Sequence, residues 1–221
     1  MYAADEETLS SRDTYHTSTG DTSPETLQAR SEYGLANGGE SGIIKSTKGT
    51  AAFSKIAKKR LLQHERIISG NIFETAIVYD SQGEMLFQRK GDGKSVSGFT
   101  RDELKLMRGC VLTHNHPNRT CFSETDINTF RLRGLAEIRA CNPDGAYVLR
   151  RTKTWPRSLS SKKKLETAYR EIEDRVASKY RDIAAQEGRH FLYYLRAIDE
   201  ETMAEFAKEY GLEFFWEQKE E

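Results

Sequence analysis

The sequence predicts an α/β (α+β) chain in which a small mixed sheet is flanked by helices and followed by a helical C-terminal extension. Apolar runs of strand length bracketed by turn residues point to it, as do amphipathic stretches of helical spacing. Their order, helix, hairpin, helix, strand, helix, hairpin, suits one sheet with helices packed on it. With 221 residues the chain has room for one core of ordinary size and appendages.

From Thr50, "TAAFSKIAKKRLLQHERIIS" spaces Phe53, Ile56, Ala57 and Leu61 at helical intervals and leaves lysines on the other side, which predicts a basic amphipathic helix. "ETAIVYDSQGEMLFQRK" places two apolar runs around Asp80-Ser81-Gln82-Gly83, a hairpin. "TRDELKLMRG" reads as a short helix with a capping box of Thr100 and Glu103, an apolar stripe of Leu104 and Met107, and Gly109 at its end. It feeds Cys110-Val111-Leu112-Thr113, a short buried strand. "SETDINTFRLRG" is a helix capped by Ser123 and stopped near Gly134. "LAEIRA" and "AYVLRR" are strands around the turn Asn142-Pro143-Asp144-Gly145. After a basic linker, "RTKTWPRSLSSKKK", apolar residues from Leu165 to Ile183 step at threes and fours over about five turns. A further helix ends at Gly211, and "LEFFWE" reads either as a strand joining the sheet or as an aromatic anchor for a neighbouring subunit.

Residues 1–42, rich in Ser, Thr, Gly, Asp and Glu, have the composition of a disordered acidic tail. Residues 43–155 form the expected core and 156–221 the helical extension. A hydrophobic fraction of 37% and a charged fraction of 31% describe a soluble protein with a modest core. No window approaches the ~20 apolar residues of a membrane span, and the first residues lack the basic and apolar regions of a secretion signal. Three cysteines without paired spacing indicate neither a disulfide framework nor a zinc ribbon, so a reducing, cytoplasmic setting is expected. The net charge of zero conceals segregation. Residues 1–42 carry eight acids against two arginines, 43–69 seven bases against Glu65, 150–164 seven bases and no acid, and the last 23 residues nine acids against two lysines. Such blocks can pair within the molecule or serve a partner.

The chemistry gathers at "VLTHNHPNRTCFSETDI", residues 111–127. In extended backbone, residues two apart project to the same side, so His114 and His116 can reach one point. A catalytic zinc takes three protein ligands and leaves the fourth position open, and a carboxylate such as Asp126 commonly completes a two-histidine set. Hydrolysis also needs a base for the attacking water. Glu74, opening the strand "ETAIVYD", is the first candidate, with Glu65, Glu84 and Glu103 as alternatives. Ser123 could donate a hydrogen bond to an oxyanion. Ser-x-x-Asp before an apolar helix is equally a capping arrangement.

The combination of an upstream Glu, His-x-His-Pro and Ser-x-x-Asp resembles the signature of the JAB/JAMM (MPN-like) zinc metallopeptidases over roughly residues 70 to 150. The resemblance implies a curved, cytidine-deaminase-like mixed sheet flanked by helices, with zinc as cofactor. It also implies hydrolysis of peptide or isopeptide bonds, including those to ubiquitin-like tails, or processing of cysteine-derived or cell-wall substrates. By motif, His114, His116 and Asp126 would be zinc ligands, Glu74 the water-activating base, and Ser123 the residue stabilising the tetrahedral intermediate. Six residues separate His116 from Ser123, one fewer than the usual family spacing. "LTHNHP", "FSETDI" and "GLAEIRA" also resemble JAB-like modules of phage head-morphogenesis proteins and bacterial toxins. That supplies the alternative, a phage or mobile-element assembly module that keeps the fold without peptidase activity and has virion or toxin-system partners.

Other readings fit less well. HNH nucleases place their histidines and asparagine on separated elements. Cupins and amidohydrolases need later histidines, and only His190 lies downstream. Zinc deaminases need a Cys-x-x-Cys partner. The basic 150–164 segment with Trp155 could hold nucleic acid, but a solvated linker explains it as well, so nucleic acid is not an expected partner.

Overall fold

The structure, a computed structural model, describes residues 55–91, 96, 99–152 and 154–219. The expected acidic tail and the start of the basic helix lie outside these residues. Helix α1 spans Lys55–Ile68, and strands β1 (Thr75–Tyr79) and β2 (Met85–Lys90) form the hairpin. Helix α2 (Arg101–Leu106) leads into β3 (Val111–Asn115), and α3 (Glu124–Arg133) leads into β4 (Glu137–Asn142) and β5 (Gly145–Arg151). Helices α4 (Lys162–Glu187) and α5 (Leu195–Tyr210) follow, and β6 (Leu212–Gln218) closes the chain's described part. No helix among the described residues is long and apolar enough to cross a membrane.

The six strands make one mixed sheet in the order β2-β1-β3-β4-β5-β6. Only β3 and β4 pair in parallel, joined through α3; the other neighbours are antiparallel. "LEFFWE" is therefore a strand of the core sheet, paired with β5 from Arg151↔Leu212 to Gly145↔Gln218. The segment expected as a helical extension contributes two helices and also the sheet's last strand.

Side-chain alternation divides the core between two faces. Ile77 and Tyr79 of β1, Val111 of β3 and Cys141 of β4 meet Leu61 and Ile68 of α1 on one face. Ala76, Val78, Leu112, Ile138, Ala140, Tyr147 and Leu149 look the other way, onto α3, α4 and α5. Beneath α1 lies an ionic network. Arg139, 0% exposed, donates to Glu65, Glu137 and Glu217. Lys58 pairs with Glu217 at 2.6 Å and Arg150 with Glu213 at 2.8 Å, so parts of the segregated charge blocks pair within the molecule.

Helix boundaries follow local chemistry. Thr100 and Glu103 cap each other as expected. The lysines expected in a linker instead open α4, because the Ser161 hydroxyl accepts from the Lys164 amide and starts the helix there. This makes α4 longer than the expected five turns, at 26 residues. Trp155 is structural: its ring packs edge-on against Phe130, Arg151 lies over it, and its N–H donates to the Leu159 carbonyl.

Candidate metal centre

Strand β3 runs further than the apolar tetrapeptide suggested and carries His114 within it, 3% exposed. Thr113 and Asn115 turn to the α1 side, where the Thr113 hydroxyl donates to Glu65. His114 and His116 turn to the opposite face, and their Nε2 atoms stand 2.9 Å apart. This is the convergence that alternate residues of an extended chain allow. A hairpin-like turn follows, with the Arg119 amide bonded to the His116 carbonyl, and it delivers the chain to α3.

Two carboxylates complete the group. Glu74, immediately before β1, brings Oε1 within 3.8 Å of His114 Nε2 and 3.7 Å of His116 Nε2. Atoms of Glu74, His114 and His116 all lie within 4.8 Å of one another, and the three could hold a metal ion. Asp126, in the first turn of α3, stands closer: Oδ1 is 3.2 Å from His114 Nε2 and Oδ2 3.6 Å from His116 Nε2. The shorter loop between His116 and Ser123 thus still brings Asp126 to the histidines.

Asp126 is also a capping residue. Its Oδ2 accepts from the Ser123 amide (2.7 Å) and the Ser123 hydroxyl (2.6 Å), while its own amide donates to Ser123 Oγ (3.2 Å). Capping and ligation do not compete, since one oxygen holds the cap and the other faces His114. The Ser123 hydroxyl, expected to face an oxyanion, here donates to Asp126.

His116 Nδ1 lies 3.0 Å from the Thr120 carbonyl, an acceptor that keeps the proton on Nδ1 and the lone pair on Nε2. With His114 Nε2 only 2.9 Å away, both ε nitrogens cannot carry protons toward each other. His114 Nδ1 makes no hydrogen bond of normal geometry, although the Arg139 backbone acts on the ring. Burial pulls His114 down, but the charge and hydrogen bond of Asp126, with Glu74, outweigh it and raise its pKa. Burial and the neighbouring His114 lower His116. For Asp126, burial acts upward, and both histidines and Ser123 overcome it, holding the carboxyl well below its usual range. A cation would satisfy the acceptors that converge here.

The group opens into a cavity of about 530 Å³. Its lining is apolar at Ile72, Ala76, Phe99, Leu112 and Pro117 and polar at Thr125 and Thr129 of α3.

The structure brings together Glu74, His114, His116, Ser123 and Asp126. It does not bring the other glutamates here: Glu65, on the sheet-facing side of α1, pairs with Arg139, Glu84 pairs with Arg60, and Glu103 caps α2 and pairs with Arg89. Cys121 is buried and its thiol is pushed up by that burial, which disfavours a thiolate nucleophile. Sequence reasoning missed Thr120, which orients His116, and Asn115, which faces away from the site and fastens the segment around Glu74. The only sequence signal for Asn115 was its place between two histidines in a strand.

Compared with protein-family models, with curated proteins and with solved structures, the chain matches none. The functional reading therefore rests on the geometry of this site and on the motif that forms it.

Proposed function

We propose that this protein is a zinc-dependent hydrolase of peptide or isopeptide bonds, of the JAMM metallopeptidase type. One observation carries the reading: at the wall of a cavity, the paired histidines His114 and His116 have the carboxylates of Glu74, at the start of β1, and Asp126, in α3, within 3.2–3.8 Å of their Nε2 atoms. Two imidazole nitrogens and a carboxylate oxygen are a donor set that suits zinc. His114, His116 and Asp126 would hold it, since Asp126 is the nearer carboxylate and its Oδ1 is turned to His114.

When bound, zinc would supply Lewis acidity, polarising the scissile carbonyl and making a neighbouring water more acidic. Glu74, set back at 3.7–3.8 Å from both histidines, is placed to accept the proton of the attacking water and return it to the leaving amine. Thr120 holds the His116 ring in its productive tautomer. Ser123, at the N-terminus of α3, could turn its hydroxyl from Asp126 toward the developing oxyanion. The substrate class is a protein or peptide, with a ubiquitin-like tail included.

The test is metal analysis of the full chain after chelation and zinc reconstitution, followed by assays on isopeptide-linked and tail-fusion substrates. Wild type and Glu74→Ala should each bind zinc, His114→Ala should not, and only wild type should cleave. Zinc in both with cleavage by neither would replace the hydrolase with the assembly-module reading.

A further inference from the structure

A second cavity, of about 300 Å³, adjoins the metal centre, and Thr120 and Ser123 line both. Its walls bring together three helices that are distant in sequence: Glu124 opens α3, Tyr169 and Glu173 come from α4, and Asp199 from α5. Arg170 is the counter-charge that acts on Glu124 and Glu173. Glu124 pairs with Arg170 at 3.3 Å, whereas Glu173 and Asp199 have no hydrogen bond or ion pair with the described residues.

Tyr169 gives an independent indication. It is only 6% exposed, and its hydroxyl has no hydrogen-bond partner among the described residues. After burial, the groups acting on the phenol are Cys121, Asp199, Glu173 and Glu124, which puts the hydroxyl on the wall of this pocket. A largely buried side chain whose hydroxyl has no protein partner, beside two carboxylates that form no ion pair, leaves donor and acceptor capacity turned to the pocket. Burial, with Glu173 and Glu200, raises Asp199 to about 6, and burial, with Glu124 and Asp174, raises Glu173 against the pull of Arg170.

We propose that this pocket binds a cationic side chain, an ammonium or guanidinium on an alkyl stem, with Asp199 and Glu173 facing the charge and the Tyr169 hydroxyl accepting one of its hydrogen bonds. Phe122, Cys121 and the Tyr169 ring provide apolar surface for the stem. A bare hard cation fits less well, because such ions need six or more oxygens closing tightly around them, and this wall mixes carboxylates with a thiol and aromatic rings. Since the pocket shares Thr120 and Ser123 with the metal centre, its occupant is a basic residue of the substrate near the scissile bond. That last clause rests on the hydrolase reading; the binding of the cation does not.

The experiment titrates the ¹⁵N-labelled full chain with Nα-acetyl-lysine methylamide, with its uncharged norleucine counterpart, and with calcium chloride. The lysine compound should shift the Cys121, Tyr169 and Asp199 amide resonances at about tenfold lower concentration than norleucine. The Asp199→Asn/Glu173→Gln variant should lose that preference while binding zinc as wild type does. Equal shifts by norleucine, a preference retained in the variant, or calcium moving the same resonances at lower concentration would overturn the proposal. On the zinc-loaded protein, the same variant should lower kcat/KM about tenfold for a lysine-bearing substrate relative to a norleucine-bearing one. Lysine binding without any cleavage would leave the pocket standing and remove only its tie to hydrolysis.

Discussion

Asn115 Oδ1 accepts a 2.6 Å hydrogen bond from the amide of Thr75 on the neighbouring strand. Its Nδ2 donates to the carbonyls of Asn71 (3.1 Å) and Phe73 (3.3 Å), so the side chain between the two histidines holds the backbone on both sides of Glu74. Asn115→Ala should therefore loosen Glu74 without touching a ligand. Outer supports of this kind are worth about 10–100-fold in metal affinity or activity, and the lost buried hydrogen bonds about 1–3 kcal/mol of stability. Zinc affinity by chelator competition and hydrogen exchange at the Thr75 amide test it. Faster exchange at Thr75 with unchanged affinity and activity would confine Asn115 to a structural role.

Asp199 makes stability depend on pH. Burial, Glu173 and Glu200 raise its folded pKa to about 6, against about 3.9 in an unfolded chain. The folded state holds the extra proton between those values, so this contribution is fully present below pH ~4 and is lost as pH rises through ~6. Allowing for partial exposure, the loss at pH 8 is about 1–2 kcal/mol. Asp199→Asn should raise the unfolding midpoint at pH 8 and leave it nearly unchanged at pH 4. A midpoint lowered equally at both would show that the side chain supports the fold independently of its charge, and would remove this pH dependence.

Much of this architecture was legible because local patterns and tertiary packing agree. The hairpin, the box of Thr100 and Glu103, and the helix capped by Ser123 each combine periodicity with turn or cap chemistry. His114 and His116 were legible as a pair because strand alternation alone directs them to one side. The bonds that fix the site were not, because they join residues distant in sequence: Asn115 reaches Asn71, and Arg139 reaches Glu65 and Glu217. A fully buried arginine also reverses that residue's usual preference for the surface. The strand Leu212–Gln218 was ambiguous because an aromatic run suits a core strand and an exposed anchor equally, and only pairing with β5 decides.

Gly145 opens β5 where β6 presses closest. A Cβ there would lie 2.5 Å from the Glu217 carbonyl oxygen and 2.5 Å from the Trp216 ring, so the end of β6 would have to move. Gly145→Ala should cost about 1–3 kcal/mol, the usual penalty for overpacking, read as a lower denaturant midpoint at constant slope. It should also perturb Trp216 fluorescence in the native baseline, since that ring packs 4.7 Å from Tyr147. An unchanged midpoint would mean that β6 is not pressed against β5.

The network under α1 should respond differently to removal of one partner than to removal of two. Glu65 accepts from Arg139 through both oxygens and from Thr113, with Glu65 2% exposed and Arg139 sealed from solvent. Glu65→Ala leaves Arg139 with Glu137 and Glu217 and opens a void beneath α1, a loss of about 3–5 kcal/mol by analogy with other broken buried pairs. Glu65→Leu with Arg139→Met removes both charges and refills the space, so the pair should cost less than the sum of its single substitutions. Glu137 keeps Arg150 at 2.8 Å and Glu217 keeps Lys58 at 2.6 Å, so neither carboxylate is stranded by the loss of Arg139. Equilibrium unfolding of the two single variants and the double variant completes the cycle. Strict additivity would show that α1 is held by its apolar contacts, Leu61 and Ile68, and not by the coupling between these charges.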